Sequence, residues 1–194
     1  MPRGLRIIRG KAKGARLQPV PGDTTRPITD RVKEALFNIL GADVLDSHWL
    51  DLFAGTGSVG LEALSNGAAF VRLVDLHRTA IRTLHANLKA TRLGGGAEIR
   101  QADAFALLAQ PADHQFDYVY IAPPQYRGLW KKALMLLDAH TDWLSEDAWV
   151  IVQIHPKEYE EVALRSLKAF DRRQYGSTLL IFYERSDIDG LDGA

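Results

Sequence analysis

The stretch Asp51-Leu-Phe-Ala-Gly-Thr-Gly-Ser-Val-Gly60 decides the fold of this chain. It overlaps an apolar segment, His48-Trp-Leu-Asp-Leu-Phe53, and leads into residues with helical spacing. Glycines at positions 55, 57 and 60 permit a tight turn and let the backbone approach a bound ligand closely. The pattern therefore predicts a strand, a glycine-rich loop and a helix that together hold a nucleotide-like ligand.

Beyond this loop, strand patterns alternate with helical patterns along the chain. Near-continuous apolar runs such as Tyr118–Ile121 and Trp149–Val152 are typical of strands that helices bury on both faces. We therefore predict an α/β, Rossmann-like, doubly wound sheet whose ligands bind at the carboxyl ends of its strands. The predicted strands are 48–53, 70–75, 97–101, 116–121, 147–153, 168–174 and 177–184. The predicted helices are 30–40, 57–66, 77–92, 103–109, 127–139 and 157–166.

The length of 194 residues suits one domain with a short extra arm. We divide the chain into a basic N-terminal hairpin arm (1–24), the α/β domain (25–186) and an acidic tail (187–194). No run of about 18 apolar residues is present, and the N-terminus opens into charge, so we expect a cytoplasmic protein without a membrane span. The absence of cysteine excludes disulfides, thiolate zinc sites and the nucleophile that methylation of a pyrimidine C5 normally needs. We predict no metal site.

The charge of the chain is unevenly distributed. The formal net charge is zero, yet residues 1–33 carry a net +7, because nine basic groups stand against Asp23 and Asp30. Basic and apolar residues alternate there, as in an ordered hairpin with strands at 5–9 and 15–18. We interpret the basic residues of this segment as a surface that binds a polyanionic partner. The alternative is that they belong to a solvated terminus. The cations assigned to nucleic acid are Arg3, Arg6, Arg9, Lys11, Lys13, Arg16, Arg31, Arg127 and Lys131.

The glycine loop by itself fits two classes of cofactor. Asp75 lies 20 residues after Gly55, at the end of the next predicted strand, where its carboxylate can accept hydrogen bonds from ribose hydroxyls. A nicotinamide dinucleotide site has the same pattern. An NAD-dependent oxidoreductase should also have a distinct substrate domain, and 194 residues leave no room for one.

Three features favour a methyl-donor nucleotide. Asp51 lies inside the first strand, where its carboxylate can meet an amino-acid ammonium or order a water beside it. The third strand ends in Gln101-Ala-Asp103-Ala104, which places a carboxylate where an adenine amino group would lie. The third feature is the turn after the fourth strand. The residues that these patterns assign to the cofactor are Asp51, Phe53, Ala54, Gly55, Thr56, Gly57, Gly60, Asp75, Leu76, Asp103 and Ala104.

The fourth strand ends in a double proline. A double proline after a buried strand continues neither a ladder nor a helix, so it fixes a rigid, extended turn at the mouth of the site, with its carbonyls aimed outward. The alternative is a plain strand-terminating loop. The catalytic residues predicted here are Ala122, Pro123, Pro124, Gln125 and Tyr126.

Three stretches and this turn, spread over nearly the whole chain, resemble a known family. The stretches are Arg6-Ile-Ile-Arg-Gly-Lys11, Thr25-Arg-Pro-Ile-Thr-Asp-Arg-Val-Lys-Glu-Ala-Leu-Phe-Asn38 and Leu50-Asp-Leu-Phe-Ala-Gly-Thr-Gly-Ser-Val-Gly-Leu-Glu-Ala63. They resemble the RsmD-type enzymes, bacterial methyltransferases that modify the exocyclic N2 of a guanine in small-subunit (16S) ribosomal RNA. The second stretch is the most specific, because generic cofactor folds do not carry it.

The resemblance implies a fold, a cofactor and a partner. The fold is the seven-stranded, mostly parallel class I methyltransferase sheet with an antiparallel last strand, which occupies 25–186. The cofactor is S-adenosyl-L-methionine, and the partner is 16S ribosomal RNA within a small-subunit particle. The resemblance also implies that Arg26, Thr29 and Arg31 lie near the methionine end of the cofactor or the RNA entrance. We expect a monomer.

The turn departs from the usual pattern of base-amino methyltransferases. Those enzymes usually have Asp or Asn before the two prolines, to accept a hydrogen bond from the target amine, and an aromatic residue directly after them, to stack on the flipped base. Here Ala122 takes the first position, and the aromatic residue is Tyr126, one place later. We predict an active enzyme in which the carbonyl of Ala122 or Pro123, with the Gln125 amide, accepts from the amine. His155, after the fifth strand, either faces the substrate or is satisfied within a turn.

Other classes stay open on these residues. An N-methyltransferase of another RNA or of DNA stays possible. A protein or small-molecule N-methyltransferase would share the fold but would have no use for the basic arm. A ribose 2′-O-methyltransferase normally needs an Asp where Ala122 stands. A non-enzymatic RNA-binding or assembly module is the remaining alternative.

Overall fold

A computed structural model of the chain describes residues 5–22 and 27–186. Arg3, Arg26 and the predicted acidic tail lie outside the described residues. The helices are α1 (Asp30–Leu40), α2 (Ser58–Ser65), α3 (Arg78–Thr91), α4 (Ala104–Leu108) and α5 (Leu129–Ala139). The strands are β1 (His48–Asp51), β2 (Phe70–Asp75), β3 (Ala97–Gln101), β4 (Phe116–Ile121), β5 (Leu144–Ile154), β6 (Leu167–Tyr175) and β7 (Thr178–Arg185). Short 3₁₀ turns occupy Gly41–Val44, Gly94–Gly96, Thr141–Trp143 and Pro156–Glu158.

The strands form one seven-stranded sheet in the order β3-β2-β1-β4-β5-β7-β6. The pairs from β3 to β5 are parallel, and β7 runs antiparallel to both β5 and β6. The strand order reverses where β1 pairs with β4, and Asp51 stands opposite Tyr120 in that pair. Ligands of open α/β sheets bind outside the carboxyl ends of the strands at such a reversal. The predicted Rossmann-like methyltransferase sheet with an antiparallel last strand is confirmed.

Two apolar clusters cover the two faces of the sheet. On one face, the arm and helices α1 to α3 pack against side chains such as Trp49, whose ring stacks on Phe37 with centroids 5.7 Å apart. On the other face, α4 and α5 pack against Leu50 and its neighbours. Neighbouring residues of one strand thus enter opposite cores, which explains the near-continuous apolar runs of the buried strands. Among the described residues no helix is both long and apolar enough to cross a membrane.

The described part of the arm is a docked loop with little regular pairing. Arg6 and Arg16 form an isolated antiparallel bridge, and the Ile7 amide donates to the Ala15 carbonyl at 2.9 Å. Gly10 lies against α2 so closely that a Cβ there would stand 1.7 Å from the Ser65 carbonyl oxygen. The two strands predicted for the arm are therefore wrong as regular strands, because the chain bends onto α2 between them.

The helix predicted at 157–166 is also wrong. One 3₁₀ turn follows Pro156, and the chain then runs without helix or strand to β6. The Asp138 carboxylate, near the end of α5, fixes the bend at the end of this stretch by accepting three consecutive amides at 2.8–3.0 Å. Those amides belong to Arg165, Ser166 and Leu167. The other predicted elements of the α/β domain are present, with boundaries within three residues of those expected.

Candidate active site

The predicted site residues of five strand ends meet at one edge of the sheet. Asp51 ends β1, Asp75 ends β2, Asp103 follows β3, the turn 122–126 follows β4, and His155 follows β5. Because these strands are parallel, their carboxyl ends lie side by side. The reversal lies between β1 and β4, so the carboxylates stand on one side of it and the turn on the other. Open α/β sheets bind their ligands in a crevice at such a reversal, and we expect the crevice of this chain there.

The glycine loop has the backbone that its sequence predicts. Gly55 and Gly57 adopt positive φ angles of 52° and 77°, and Gly57 precedes the first turn of α2. The Gly55 amide donates to Asp75 Oδ2 at 3.0 Å, which joins the loop to β2. At Gly60 a Cβ would stand 2.5 Å from Leu73 Cδ2, so glycine lets α2 pack tightly on the sheet. These contacts with β2 and with the sheet fix the shape of the loop.

The loop has a second support that sequence reasoning missed. Asn87, fully buried on α3, donates to the Thr56 carbonyl at 2.8 Å and to the Gln18 carbonyl at 3.0 Å. Its Oδ1 accepts from the Gln18 amide at 2.7 Å. One side-chain amide thus connects the glycine loop, α3 and the arm. No local sequence signal marks it, because its partners are distant along the chain.

Asp51 has a buried side-chain oxygen that lacks a hydrogen-bond donor within the described part of the chain. Its side chain is buried, and its Oδ1 has no hydrogen-bond partner among the described residues. Burial, helped by the charge of Asp75, raises the pKa of Asp51 from 3.8 to about 7, although the Phe53 and Gly60 amides oppose the rise. A buried oxygen without a donor is costly and calls for a ligand donor. An ammonium group would provide both the donor and the opposite charge.

The remaining cofactor residues are placed for a ribose and a base. Asp75 accepts from the Gly55 and His77 amides and, as a carboxylate, keeps further lone pairs for ribose hydroxyls. Leu76 follows directly, and its side chain is 54% exposed, which offers an apolar face at the crevice. Asp103 caps α4, because its Oδ1 accepts from the Phe105 amide at 2.8 Å and from the next amide at 3.0 Å. The other oxygen, Oδ2, is the one that would make the predicted contact with an adenine amino group.

Three more of the residues predicted to bind the cofactor, Phe53, Ala54 and Ala104, lie shortly after strand ends, and Thr29 lies at the start of α1. Phe53 is half-buried and its ring lies 5.9 Å from that of Phe105, and Ala54 and Ala104 are buried. Thr29 caps α1, with its Oγ1 accepting from the Val32 amide at 3.3 Å. The residues present fit S-adenosylmethionine: Asp51 suits its ammonium, Asp75 its ribose, and Leu76 with Asp103 its adenine. Among the described residues there is no group of three His, Cys, Asp or Glu side chains that could hold a metal ion.

A buried ion pair fixes α1 and the arm onto α2, directly behind the glycine loop. Lys33 Nζ lies 3.0 Å from Glu62 Oε2 and 3.0 Å from Ser58 Oγ, and it donates to the Arg6 carbonyl at 2.6 Å. Glu62 also accepts from the amides of Ile8 and Arg9 at 3.0 and 2.8 Å. Burial lowers the pKa of Lys33, and Glu62 opposes that effect. Lys33, counted in the basic surface of residues 1–33, is therefore buried and does not face a partner.

The predicted nucleic-acid cations divide into two groups. Three are engaged within the chain: Arg6 lies 2.9 Å from Asp30, Arg9 bonds to Asn38, and Lys131 lies 2.8 Å from Glu160. Such pairs at the surface contribute only about 0–1 kcal/mol and exchange partners readily. The cations on exposed residues are Lys11, Lys13, Arg16, Arg31 and Arg127.

The double-proline turn is held from outside its own sequence. Tyr126 is 66% exposed and has a φ of 61°, unusual for a residue with a side chain. Its amide donates to Glu158 Oε2 at 2.7 Å, and its ring lies 5.7 Å from that of His155. Glu158 Oε1 also accepts from the His155 amide at 3.3 Å. Sequence reasoning missed Glu158, because it stood in the helix wrongly predicted at 157–166.

The floor beneath the turn contains a second polar pair. The Tyr120 hydroxyl, on β4, donates to Gln153 Oε1 on β5. Complete burial, with a further effect of the Asp51 charge, raises the pKa of Tyr120 well above its ordinary value. The hydroxyl therefore stays protonated and acts as a donor. Ala122, Pro123 and Pro124 are half-buried above it, and Gln125 is exposed.

The sheet order and this crevice define the class: the molecule has a Rossmann-like class I methyltransferase fold. Within that class, the chain belongs to the RsmD-type family, whose family model is described as "Conserved hypothetical protein 95" and matches residues 5–184. The resemblance drawn from the sequence motifs is thereby confirmed.

Known proteins similar to the chain carry methyltransferase names. "Putative rRNA methyltransferase YlbH" of Bacillus subtilis is 35% identical over 184 residues, which cover 93% of this chain and 99% of the relative. "Ribosomal RNA small subunit methyltransferase D" of Escherichia coli K12 is 40% identical over 150 residues, which cover 77% of this chain and 74% of the relative.

Solved structures share the fold. "Putative methyltransferase yhhF" of Escherichia coli has a TM-score of 0.83 at 33% identity, covering 94% of this chain and 98% of that one. An RNA methyltransferase from Salinibacter ruber, in complex with S-adenosyl-L-homocysteine, has a TM-score of 0.64 at 15% identity, covering 86% and 98%. The second likeness concerns the fold alone. The ligand bound in that structure is S-adenosylmethionine without its methyl group.

Proposed function

We propose that this protein uses S-adenosylmethionine to methylate the exocyclic N2 of a guanine in small-subunit (16S) ribosomal RNA. The observation that carries the proposal is the crevice at the β1–β4 reversal. One side holds the buried, unpaired Asp51 oxygen, and the other holds the Pro123-Pro124 turn with the exposed Tyr126. The names of the relatives support RNA as the substrate class.

Each side of the crevice has its own task. S-adenosylmethionine supplies, when bound, a methyl group on a positively charged sulfur that takes the bonding electron pair as the methyl leaves. Asp51 holds the ammonium and Asp75 the ribose, and the turn orients the target amine opposite them. Tyr126 stacks on the flipped base, because its ring is exposed and its backbone is fixed. Positioning is the main contribution, since well-oriented reactants can gain up to about 7–11 kcal/mol.

The substrate side of the proposal rests on the exposed cations. Lys11, Lys13 and Arg16 lie on the arm, which packs behind the glycine loop, and Arg127 follows Tyr126 directly. Cations in such places bind phosphates and set the register of the RNA, while the pocket selects the base. We propose that the protein acts in the cytoplasm, as a monomer, on RNA within a small-subunit particle.

A second candidate is a binding protein that retains the cofactor without turnover. Ala122 favours it, because a side-chain acceptor is missing at the position where base-amino methyltransferases usually have one. This candidate predicts normal cofactor binding and no methyl transfer to any RNA.

One experiment distinguishes the two candidates. Labelled S-adenosylmethionine is incubated with the protein and small ribosomal subunits from a strain that lacks the gene, and the RNA nucleosides are analysed by mass spectrometry. We expect label in N2-methylguanosine, and less of it with Gln125→Ala and Tyr126→Ala. Label in another nucleoside contradicts the guanine assignment, and wild-type rates in both variants contradict the site. Cofactor binding without any label supports the second candidate.

A further inference from the structure

The side chain of Ala122 has no hydrogen-bond acceptor, but the side chain of its neighbour on β5, Gln153, has one. β4 and β5 pair in parallel up to Ile121 and Val152. One residue further, Ala122 lies beside Gln153, and neighbouring strands are about 4.8 Å apart. The position without a polar side chain therefore stands next to one with an amide.

The two side chains share a face of the sheet. Side chains of a strand alternate, so Ala122 and Tyr120 point to the same side, and both pack on the same apolar cluster. The hydrogen bond from the Tyr120 hydroxyl places the Gln153 amide on that side too. Asp51 stands opposite Tyr120 in the β1–β4 pair. Asp51, Tyr120 and Gln153 thus form a row across three adjacent strands, from the ammonium site to the turn.

The Gln153 amide is oriented and has capacity to spare. The Tyr120 hydroxyl donates to Gln153 Oε1, and this hydrogen bond orients the amide oxygen toward β4. An amide oxygen has two lone pairs, so it can accept a second hydrogen bond. The residue is half-buried, which leaves it within reach of a ligand in the crevice.

We propose that Gln153 supplies the side-chain acceptor for the target amine that Ala122 cannot supply, with Tyr120 as the positioning residue. This inference rests on the proposed function. The amine nitrogen forms the new bond to the methyl carbon, the carbon–sulfur bond breaks with its electron pair going to sulfur, and one amine proton leaves to water. Gln153 accepts a hydrogen bond throughout and takes no proton.

Two nearby side chains are less suited to this task. Gln125, assigned to it from the sequence, is exposed on the turn. Glu158 lies beyond β5, in the 3₁₀ turn Pro156–Glu158, where it binds the Tyr126 and His155 amides. Gln153 is the acceptor that lies in the row with Asp51, where the methyl group would be presented.

The test compares variants of the whole protein in the methyl-transfer assay described above. We expect Gln153→Ala to lower kcat about tenfold, as loss of one hydrogen bond in the transition state would. The Kd for S-adenosylmethionine, from titration calorimetry, should stay unchanged. Gln153→Glu keeps an acceptor and should retain most activity. Gln115→Ala, at an exposed glutamine, is the matched control.

The sharpest step is a rescue. Ala122→Asp in the Gln153→Ala background should recover most of the lost kcat, since it restores an acceptor at the neighbouring position. A purely structural role of Gln153 would not be rescued in this way. If Gln153→Ala does not fold, Gln153→Met, which has similar volume and no oxygen, replaces it in both measurements.

The outcomes separate this inference from the proposed function. Absence of transfer by the wild-type protein overturns both. An active wild-type protein with an equally active Gln153→Ala variant overturns only the role of Gln153. Failure of Ala122→Asp to rescue, or a parallel loss of cofactor affinity, assigns Gln153 a structural role and also overturns the inference.

Discussion

The cofactor side and the substrate side of the crevice are built in different ways. On the cofactor side, the glycine loop is fixed by its own backbone, by Asp75 and by a buried ion pair behind it. On the substrate side, the turn 122–126 depends on Glu158, which lies 32 residues from Tyr126 along the chain. Its most prominent side chain, Tyr126, is largely exposed.

This difference predicts how the two sides tolerate change. The cofactor side is buried and densely hydrogen-bonded, so its failures should show as lost stability or lost cofactor. The substrate side is supported by a few partly exposed contacts, so its failures should show as slower transfer with the cofactor still bound. The proposed difference would be contradicted if variants on the cofactor side slowed only the transfer, or if variants on the substrate side lost stability or cofactor binding.

Glu62→Ala should have the largest effect. It leaves Lys33 charged and buried without its partner, and removing one member of such a pair costs about 3–5 kcal/mol of unfolding free energy. Urea unfolding measures this loss. Glu34→Ala, at an exposed position of the same helix as Lys33, is the control and should change stability by less than about 0.5 kcal/mol. Equal stability of the two variants would mean that the ion pair does not anchor the cofactor side.

Asp51→Asn should affect the cofactor most directly. It removes a charged acceptor from the proposed ammonium site, and a hydrogen bond to a charged group contributes about 1.5–3 kcal/mol, or about 10- to 150-fold in Kd. Calorimetric titration with S-adenosylmethionine measures it. Asp43→Asn, at an exposed residue before β1, should bind as the wild type does. Unchanged affinity in Asp51→Asn would place the ammonium elsewhere.

The pH dependence sharpens the same point. Because the pKa of Asp51 is raised to about 7, the carboxyl is protonated below that pH. Cofactor affinity should then fall, by at most about tenfold for each further unit of acidity, until the loss reaches that expected for Asp51→Asn. The ligand-free protein should respond in the opposite sense. Its folded state keeps the proton between about pH 4 and 7, so this group makes the fold less stable as the pH rises through that window. Thermal melts of wild type and Asp51→Asn, compared at pH 5 and pH 8, test the sign: the variant should gain relative stability at pH 8.

Glu158→Ala tests the substrate side. It frees the Tyr126 amide and removes the constraint on a backbone with positive φ, so kcat should fall about 3- to 10-fold, the effect of one modest hydrogen bond. Cofactor affinity should not change. Glu161→Ala, at an exposed residue in the same segment, is the control. A large loss of cofactor affinity in Glu158→Ala would show that the two sides are not independent.

Lys13→Ala should have the smallest effect. The residue is exposed on the arm, so its loss should weaken RNA binding several-fold at every sequence and reduce the slope of log affinity against log salt by about one. Filter binding at several salt concentrations measures both. Lys89→Ala, at an exposed residue of α3 that is not assigned to RNA binding, should leave the slope unchanged. Equal slopes for the two variants would show that the arm is not part of the surface that binds RNA.

Prediction from the sequence succeeded where the determinants are close together along the chain. The glycine loop, Asp51 and Asp75 fall within 25 residues, and their spacing alone places them at adjacent strand ends. Strand alternation likewise gives the sheet, because burial on both faces leaves a continuous apolar run.

Prediction from the sequence failed where a side chain forms hydrogen bonds with a segment that is distant along the chain. Glu62 reaches Arg9 across 53 residues, and Glu158 reaches Tyr126 across 32. Nothing in the local pattern distinguishes such glutamates from solvated ones. The helix wrongly predicted at 157–166 shows the same problem, since Asp138 on another element holds the end of that segment in a bend.

The docking of the arm has a consequence for how the chain is made. Gly10 and its neighbours contact Ser65, and Gln18 contacts Asn87, so the partners of the arm are translated 50 to 70 residues after it. Chains fold as they emerge, from the N-terminal end. The arm therefore reaches its place only after α2 and α3, which follow it in the chain, have left the ribosome.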